Sequence, residues 1–222
     1  MRYKIINLIN TKEKKNRIFL TAEKGFFFLE KTKKIFNKFF FNVGVAENNM
    51  LLIACGLQES YSKRVYCYSI SPFITLRTLE VIRNYISNDN RNIRIIGVGS
   101  GVSYAEMGKT HFNFDDINSL YSLKNILILN PANESELIFL FQKFFNYKKP
   151  IYFRINKFNF ENKFKLLKNN IAFYKKGNLT NLVTSGAVLN HILSCLNAEE
   201  IDHLNIISIP ILNHQYNKNI NK

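Results

Sequence analysis

The stretch FFFNVGVAENNMLLIACG, residues 39 to 56, places one carboxylate, Glu47, between two apolar runs. The first run has the composition of a buried strand, and the second repeats its apolar residues at helical spacing from Glu47 to Tyr61. A strand followed at once by a helix is the unit from which parallel sheets are built. The stretch therefore predicts an α/β fold and raises the question of why an ionisable group stands at that junction.

The same alternation extends along the chain. Strands are predicted at residues 17–22, 39–45, 64–70, 92–99, 125–130 and 150–156, and helices at 26–37, 47–61, 71–86 and from Asn133 onward. Ser71 stands where an N-cap belongs, with Pro72 at the first helical position. Asn133 and Glu136 have the spacing of a capping box. Short connections of this kind predict a parallel β-sheet flanked by helices on both faces.

Two polar or aromatic side chains follow neighbouring predicted strands. Glu47 comes just after the strand at 39–45, and Phe73 comes just after the strand at 64–70. Parallel sheets bind their ligands at the carboxyl ends of the strands. Glu47 and Phe73 are therefore expected to share one rim of the sheet.

The chain is predicted to divide into three parts. Residues 1–158 form the parallel-sheet domain, and residues 159–178 are lysine-rich without periodicity, which is typical of a linker. Residues 179–222 read as strand, helix and strand, followed by an Asn/Lys tail. So short a unit buries too little surface to fold alone, so it is interpreted as the truncated start of a second α/β domain.

Composition limits the class of protein. A hydrophobic content of 46% in 222 residues is that of a folded chain. The net charge of +15 is compatible with nucleic-acid binding, and residues 142–170 interleave aromatics with cations as single-strand binding surfaces do. Abundant Lys, Asn, Ile and Phe alongside scarce Gly and Pro fit an AT-rich coding bias better, which favours solvated lysines.

The cysteines and the apolar runs point to a protein of the reducing cytoplasm. Cys55, Cys67 and Cys195 lack the paired short spacing of a disulfide framework or a zinc site. No apolar run approaches the roughly 20 residues of a membrane helix. The glycines of GVGSGVS, residues 97–103, fit neither a dinucleotide fingerprint nor a P-loop, and a backbone turn is sufficient to explain them.

Several motifs occur in order along the chain. They are FFNVGVAENNMLLIACGL, SPFITLRTLEVIRN, IIGVGSGVSYAEMGKTHFNFDDI, ILNPANESE and PIYFRINK. Together they resemble the pyrimidine-binding domain of the transketolase family, especially the separate C-terminal halves of split transketolases. The resemblance covers Ile18 to Lys157 and continues more faintly from Leu179.

The resemblance implies a role for Glu47 in binding thiamine diphosphate. A glutamate at this position in the family hydrogen-bonds the N1′ nitrogen of the aminopyrimidine, and a carboxyl group in a dry pocket can share a proton with a ring nitrogen. Phe73 corresponds to the aromatic residue that stacks on the pyrimidine. Ile70 stands where many relatives carry a second aromatic, and Glu23 stands where they carry an aspartate near the cofactor. Without the resemblance, Glu47 reads as a helix-terminal acid and Phe73 as core.

The resemblance also implies substrate contacts. His111 matches the histidine of a GPTH loop that reaches the reacting oxygens, with Lys109 in place of the proline. Arg154 resembles an arginine that holds the sugar phosphate. A phosphate-contacting histidine found upstream of this loop in full-length relatives is absent, because Gly and Ser occupy its place.

The GDG motif that holds Mg²⁺ and the diphosphate in the family is missing from these residues. The resemblance therefore implies a partner, a diphosphate-binding transketolase subunit, within a heterotetramer that acts on sugar phosphates. The alternatives are the β subunit of a 2-oxo-acid dehydrogenase, a deoxyxylulose-phosphate synthase, a decayed non-catalytic remnant and a basic RNA-binding protein.

Overall fold

The computed structural model describes residues 1–12, 17–22, 28–158, 166–168, 170–177 and 179–213. Within these residues, six strands form one sheet: β1 (Arg17–Thr21), β2 (Phe40–Asn42), β3 (Arg64–Ile70), β4 (Ile93–Val98), β5 (Leu127–Leu129) and β6 (Ile151–Ile155). Their order is β2-β1-β3-β4-β6-β5, and every neighbouring pair is parallel. The predicted fold class is confirmed.

Helices connect the strands of this sheet. They are α1 (Arg2–Lys12), α2 (Glu30–Phe36), α3 (Glu47–Tyr61), α4 (Ser71–Thr75), α5 (Leu79–Val81) with a π segment (Ile82–Ser87), α6 (Asp116–Tyr121) and α7 (Glu134–Lys143). Short 3-10 turns lie at Asn37–Phe39, Ala105–Met107 and Lys109–His111. In the described part of the chain, no helix combines the length and apolar character needed to cross a bilayer.

Both faces of the sheet are buried, which is why its strands read as nearly continuous apolar runs. In β1, Phe19 packs with the cluster that contains α1, α2 and α7. Its neighbours Ile18 and Leu20 pack on the opposite face, with α3, α5 and α6. Full burial of side chains of this size stabilises the fold by about 1.5–3 kcal/mol each.

The helix predicted at 71–86 is broken, and Ser71 is not its N-cap. Ile70 precedes the first helical residue, and Ser71 is itself helical and buried. The hydroxyl groups of Thr75 and Thr78 donate to the carbonyl oxygens of Ser71 and Ile74 at 2.7 and 2.6 Å. Hydrogen bonds of this kind from Thr to the preceding turn bend helices, and here a turn at 76–78 follows.

The capping box predicted at α7 forms in an altered version. The Asn133 side chain accepts a hydrogen bond from the Glu136 amide at 3.0 Å, as expected. The Glu136 carboxylate, however, accepts from the amide of Ala132 at 2.7 Å. Its other oxygen accepts from the Tyr174 hydroxyl at 2.7 Å, so α7 is tied to the part of the chain that follows.

A second sheet follows in the order β7-β8-β10-β9. Its strands are β7 (Leu166–Lys168), β8 (Ile171–Lys175), β9 (Thr180–Thr184) and β10 (Leu204–Ser208), and the helices α8 (Val188–Cys195) and α9 (Ala198–His203) link β9 to β10. The parallel β9–β10 pair matches the predicted strand, helix, strand pattern. Residues 159–165, 169 and 178 of the predicted linker lie outside the described residues.

The remaining residues of the predicted linker differ from the expectation, because β7 and β8 form a hairpin that extends the second sheet. In β8 only Ala172 and Tyr174 are buried, with half-buried residues between them. Five residues with a small and a polar-tipped core residue give a weak alternation, which the surrounding lysines obscure. The division into domains at 158 and 178 stays a prediction.

One edge of the first sheet is covered by a late segment, residues 209–213. Ile211 forms an antiparallel bridge with Leu129 of the edge strand β5. The amide of Asn130 donates to the carbonyl of Pro210 at 2.8 Å, and the amide of Leu212 donates to Ile128 at 3.0 Å. The Asn213 side chain donates to the carbonyl of Ile126 at 2.6 Å.

The topology creates a crevice between β1 and β3. The chain leaves β1 through α2 on one face of the sheet and leaves β3 through α4 and α5 on the other. Ligands bind at such a switch point, outside the carboxyl ends of the strands. The residues that follow β2 and β3 therefore lie where a ligand would bind.

Candidate functional site

Glu47 is the first residue of α3, and its side chain is only 2% exposed. Its Oε1 accepts a hydrogen bond from the Ser69 hydroxyl at 3.0 Å, and its Oε2 accepts from Nη1 of Arg77 at 3.0 Å. The helix N-terminus adds a favourable dipole for an acidic group. A carboxyl group buried at the switch point is thus held from two sides, by β3 and by the turn after α4.

Phe73 lies next to this carboxyl group, in α4. The Phe73 ring is partly buried, and the guanidinium carbon of Arg77 lies 4.4 Å from its centroid. The His111 ring meets it edge-on, with 5.0 Å between the ring centroids. The structure therefore brings Glu47, Phe73 and His111 to one rim, with Arg77 between the first two.

His111 is carried by the loop from Gly99 to Asn113. Its Nδ1 shares a hydrogen bond with the Thr110 hydroxyl at 3.0 Å, and the adjacent Lys109 is exposed. Gly99 has φ +82°, and a Cβ there would lie 2.0 Å from the Tyr104 ring. The turn after β4 therefore requires glycine, which accounts for part of the GVGSGVS motif without a phosphate.

A buried polar network lies beneath this loop. The Asp116 carboxylate accepts from the Tyr152 hydroxyl at 2.7 Å and from Nε of Arg154 at 2.8 Å. The Asn113 side chain donates to the Ser71 hydroxyl at 2.5 Å, and Ser71 also bonds Tyr152 at 2.7 Å. Burial, followed by the Asp116 charge, raises the pKa of Tyr152 well above its usual range, so its hydroxyl remains a donor. The network joins the helix of Phe73 to the loop of His111.

Arg154 is part of that network, which differs from the substrate contact that the sequence suggested. Its Nη2 donates to the carbonyl of Asn113 at 3.0 Å, and its Nη1 lies 3.5 Å from Oδ1 of Asn130. Its side chain is 12% exposed. A sugar phosphate would have to displace these partners, so the geometry favours Arg154 as a residue that positions the loop.

The other predicted residues are placed less directly. Ile70 ends β3 and is partly buried beside α4, at the same rim. Glu23 lies outside the described residues. Among the described residues, no group of three or more His, Cys, Asp or Glu side chains is arranged to hold a metal ion.

Sequence reasoning missed Ser69, Arg77, Asn113 and Asp116. Ser69 is the one inward polar residue near the end of an apolar strand, which was a usable signal. Arg77 follows Phe73 by one helical turn, so i to i+4 spacing places the two side chains on one face. The sequence carries no comparable signal for the Asp116–Arg154 pair, because its members belong to distant elements.

Solved structures share this fold. One described as "Split gene transketolase, inactive beta4 tetramer" superimposes with a TM-score of 0.75 at 22% identity, over 94% of this chain and 70% of that one. A transketolase from Campylobacter jejuni gives a TM-score of 0.77 at 17% identity, over 95% of this chain and 35% of that one. The fold and the rim site define the α/β domain class found in transketolases.

Sequence comparisons identify the family. Residues 13–163 match the family model "Transketolase, pyrimidine binding domain", so the chain belongs to the transketolase pyrimidine-binding domain family. One of the two subunits of an apulose-4-phosphate transketolase, from Actinobacillus succinogenes, is 26% identical over 76% of this chain and 56% of its own length. A putative transketolase C-terminal section from Methanocaldococcus jannaschii is 32% identical over 55% of this chain and 38% of its own. The chain thus spans about half or less of these relatives, and the resemblance drawn from the motifs is confirmed.

Proposed function

We propose that the chain is the C-terminal, pyrimidine-binding subunit of a split transketolase. With thiamine diphosphate, the complex transfers a two-carbon ketol unit between sugar phosphates. The observation that carries this proposal is the Glu47 carboxyl group, 2% exposed at the switch point and joined through Arg77 to the partly exposed Phe73 ring. A buried acid beside an aromatic face is the pairing that an aminopyrimidine requires.

The residues of this chain fit the pyrimidine half of the cofactor. Glu47 would hydrogen-bond the ring nitrogen, with Ser69 fixing the other carboxylate oxygen, and Phe73 would stack on the ring. Bound thiamine diphosphate supplies the carbon nucleophile that accepts the ketol unit. His111, in edge contact with Phe73, is placed to exchange a proton with a substrate hydroxyl. Ile70 and Glu23 are proposed as further contacts of the cofactor.

The diphosphate and its Mg²⁺ would be held by another chain. The described residues provide no metal cluster, and the sequence contains no GDG motif. Large apolar side chains are exposed around the rim, at Val45, Val102, Met107 and Phe114. We propose that a diphosphate-binding subunit covers them, in a heterotetramer of the reducing cytoplasm, where the free cysteines remain reduced.

One rival enzyme class remains supported by a specific observation. The 1-deoxy-D-xylulose-5-phosphate synthase of Shouchella clausii is 36% identical over 43% of this chain and 15% of its own length. Substrate profiling separates the two, because the synthase reaction starts from a 2-oxo acid rather than a ketose. The RNA-binding alternative gains no support, since the aromatic residues of β6 are buried in the core.

The central test is ketol transfer by the reconstituted pair. We expect Glu47→Gln to lower the turnover by about 100-fold or more, as loss of a proton-transfer group does. Glu59→Gln is the matched control, because Glu59 lies on the same helix with a side chain 69% exposed. Full activity of the Glu47→Gln complex would refute the proposed role of the carboxyl group.

A further inference from the structure

Arg77 lies between the two groups that are proposed to bind the pyrimidine. Its Nη1 donates to the buried Glu47 carboxylate at 3.0 Å, and its guanidinium carbon lies 4.4 Å from the centroid of the Phe73 ring. We call the space bounded by the Glu47 carboxyl group and the Phe73 ring the seat. In the free chain, the guanidinium group of Arg77 fills this seat.

The guanidinium group makes the contacts that an aminopyrimidine would make. Both are flat, both present an N–H or ring nitrogen to a carboxyl group, and both gain from the face of an aromatic ring. A buried carboxylate without a partner is strongly unfavourable. Arg77 supplies a partner to Glu47 while no ligand is bound.

The position of Arg77 allows it to leave the seat. It belongs to the turn at 76–78 that separates α4 from α5, rather than to a regular helix. Its side chain is 50% exposed, whereas that of Glu47 is 2% exposed. The charged group can therefore rotate into water without being buried elsewhere, while the Glu47 carboxyl group stays in place.

We propose that Arg77 is an internal occupant of the seat, which the pyrimidine of the cofactor must displace. This inference rests on the proposed function and concerns how that site is regulated. Because an occupied seat reduces the apparent affinity by the fraction of chains in which it is open, removing Arg77 should tighten pyrimidine binding. A residue that merely supported the site would have the opposite effect when removed.

The test measures binding of 4-amino-5-hydroxymethyl-2-methylpyrimidine to the full chain by NMR titration. This probe is the pyrimidine part of thiamine and is uncharged in mildly alkaline buffer, so loss of a positive charge does not by itself favour it. We expect Arg77→Met to bind the probe about five- to tenfold more tightly than the unmodified chain. Arg83→Met, an exposed arginine in the following π segment, should leave the affinity unchanged.

Each outcome decides a different claim. Equal or weaker binding by Arg77→Met would overturn the inference and leave the proposed function standing. Should Arg77→Met fail to fold, Arg77→Lys replaces it, because an ammonium group cannot lie flat in the seat, and it too must bind more tightly than the unmodified chain. If folded chains of every variant, and the unmodified chain, fail to bind the probe, the seat itself is refuted and the proposed function with it.

Discussion

Replacing Asp116 with Asn should be among the most damaging conservative changes in the chain. Asp116 is fully buried and pairs with Arg154, which is itself 12% exposed. The isosteric amide keeps the volume but removes the charge, so the guanidinium group remains buried without its counter-charge. Breaking a buried ion pair in this way costs about 3–5 kcal/mol. That is a large part of the 5–15 kcal/mol or so that typically separates folded from unfolded states.

Urea unfolding followed by circular dichroism measures the effect. With a slope of about 1–3 kcal/mol per molar urea, the midpoint should fall by about 1–3 M. Asp115→Asn is the control, since Asp115 is the exposed neighbour and its side chain makes no capping hydrogen bond. A difference between the two variants below about 1 kcal/mol would refute the reasoning, because it would show that the pair adds little over its desolvation cost.

Two further predictions concern titration. Burial raises the pKa of Glu136 above its usual value despite its hydrogen bonds from Ala132 and Tyr174, so its contribution to stability is full below the unfolded pKa and is lost as the pH rises. The free energy of unfolding relative to Glu136→Gln should therefore fall between about pH 4 and pH 7, and a rise in urea titrations would contradict this. Iodoacetamide should label Cys195 first in the native chain, because Cys195 is exposed whereas burial raises the pKa of Cys55 to about 11. Mass spectrometry should find almost no native adduct in Cys195→Ser, and rapid labelling of that variant would show that Cys55 or Cys67 is reached.

The sequence was sufficient for the parallel sheet, because burial on both faces leaves continuous apolar runs such as Val65 to Tyr68. The N-cap of α7 was readable because the interaction is local, from Asn133 to Glu136. The break after Thr75 was not, since threonine hydroxyls either face water or bond the preceding turn, and composition does not say which. The hairpin of β7 and β8 was hidden by its short length among lysines.

The candidate site was predictable where it follows strand ends. Glu47 and Phe73 lie together at the rim because both follow neighbouring strands, while the position of His111 came from the family motif alone. The partners of Arg154 were not predictable, because Asp116 and Asn130 come from separate elements and meet only through tertiary packing. Side-chain pairings of this kind depend on the assembled fold rather than on spacing.

The segment at residues 209–213 has a consequence for synthesis on the ribosome. Until Pro210 and Ile211 have been added, β5 presents open N–H and C=O groups at a hydrophobic border, the kind of surface onto which foreign strands add. The nascent sheet therefore has its greatest tendency to aggregate just before this segment emerges. A chain cut before Pro210 would keep the rim residues and yet be lost to self-association.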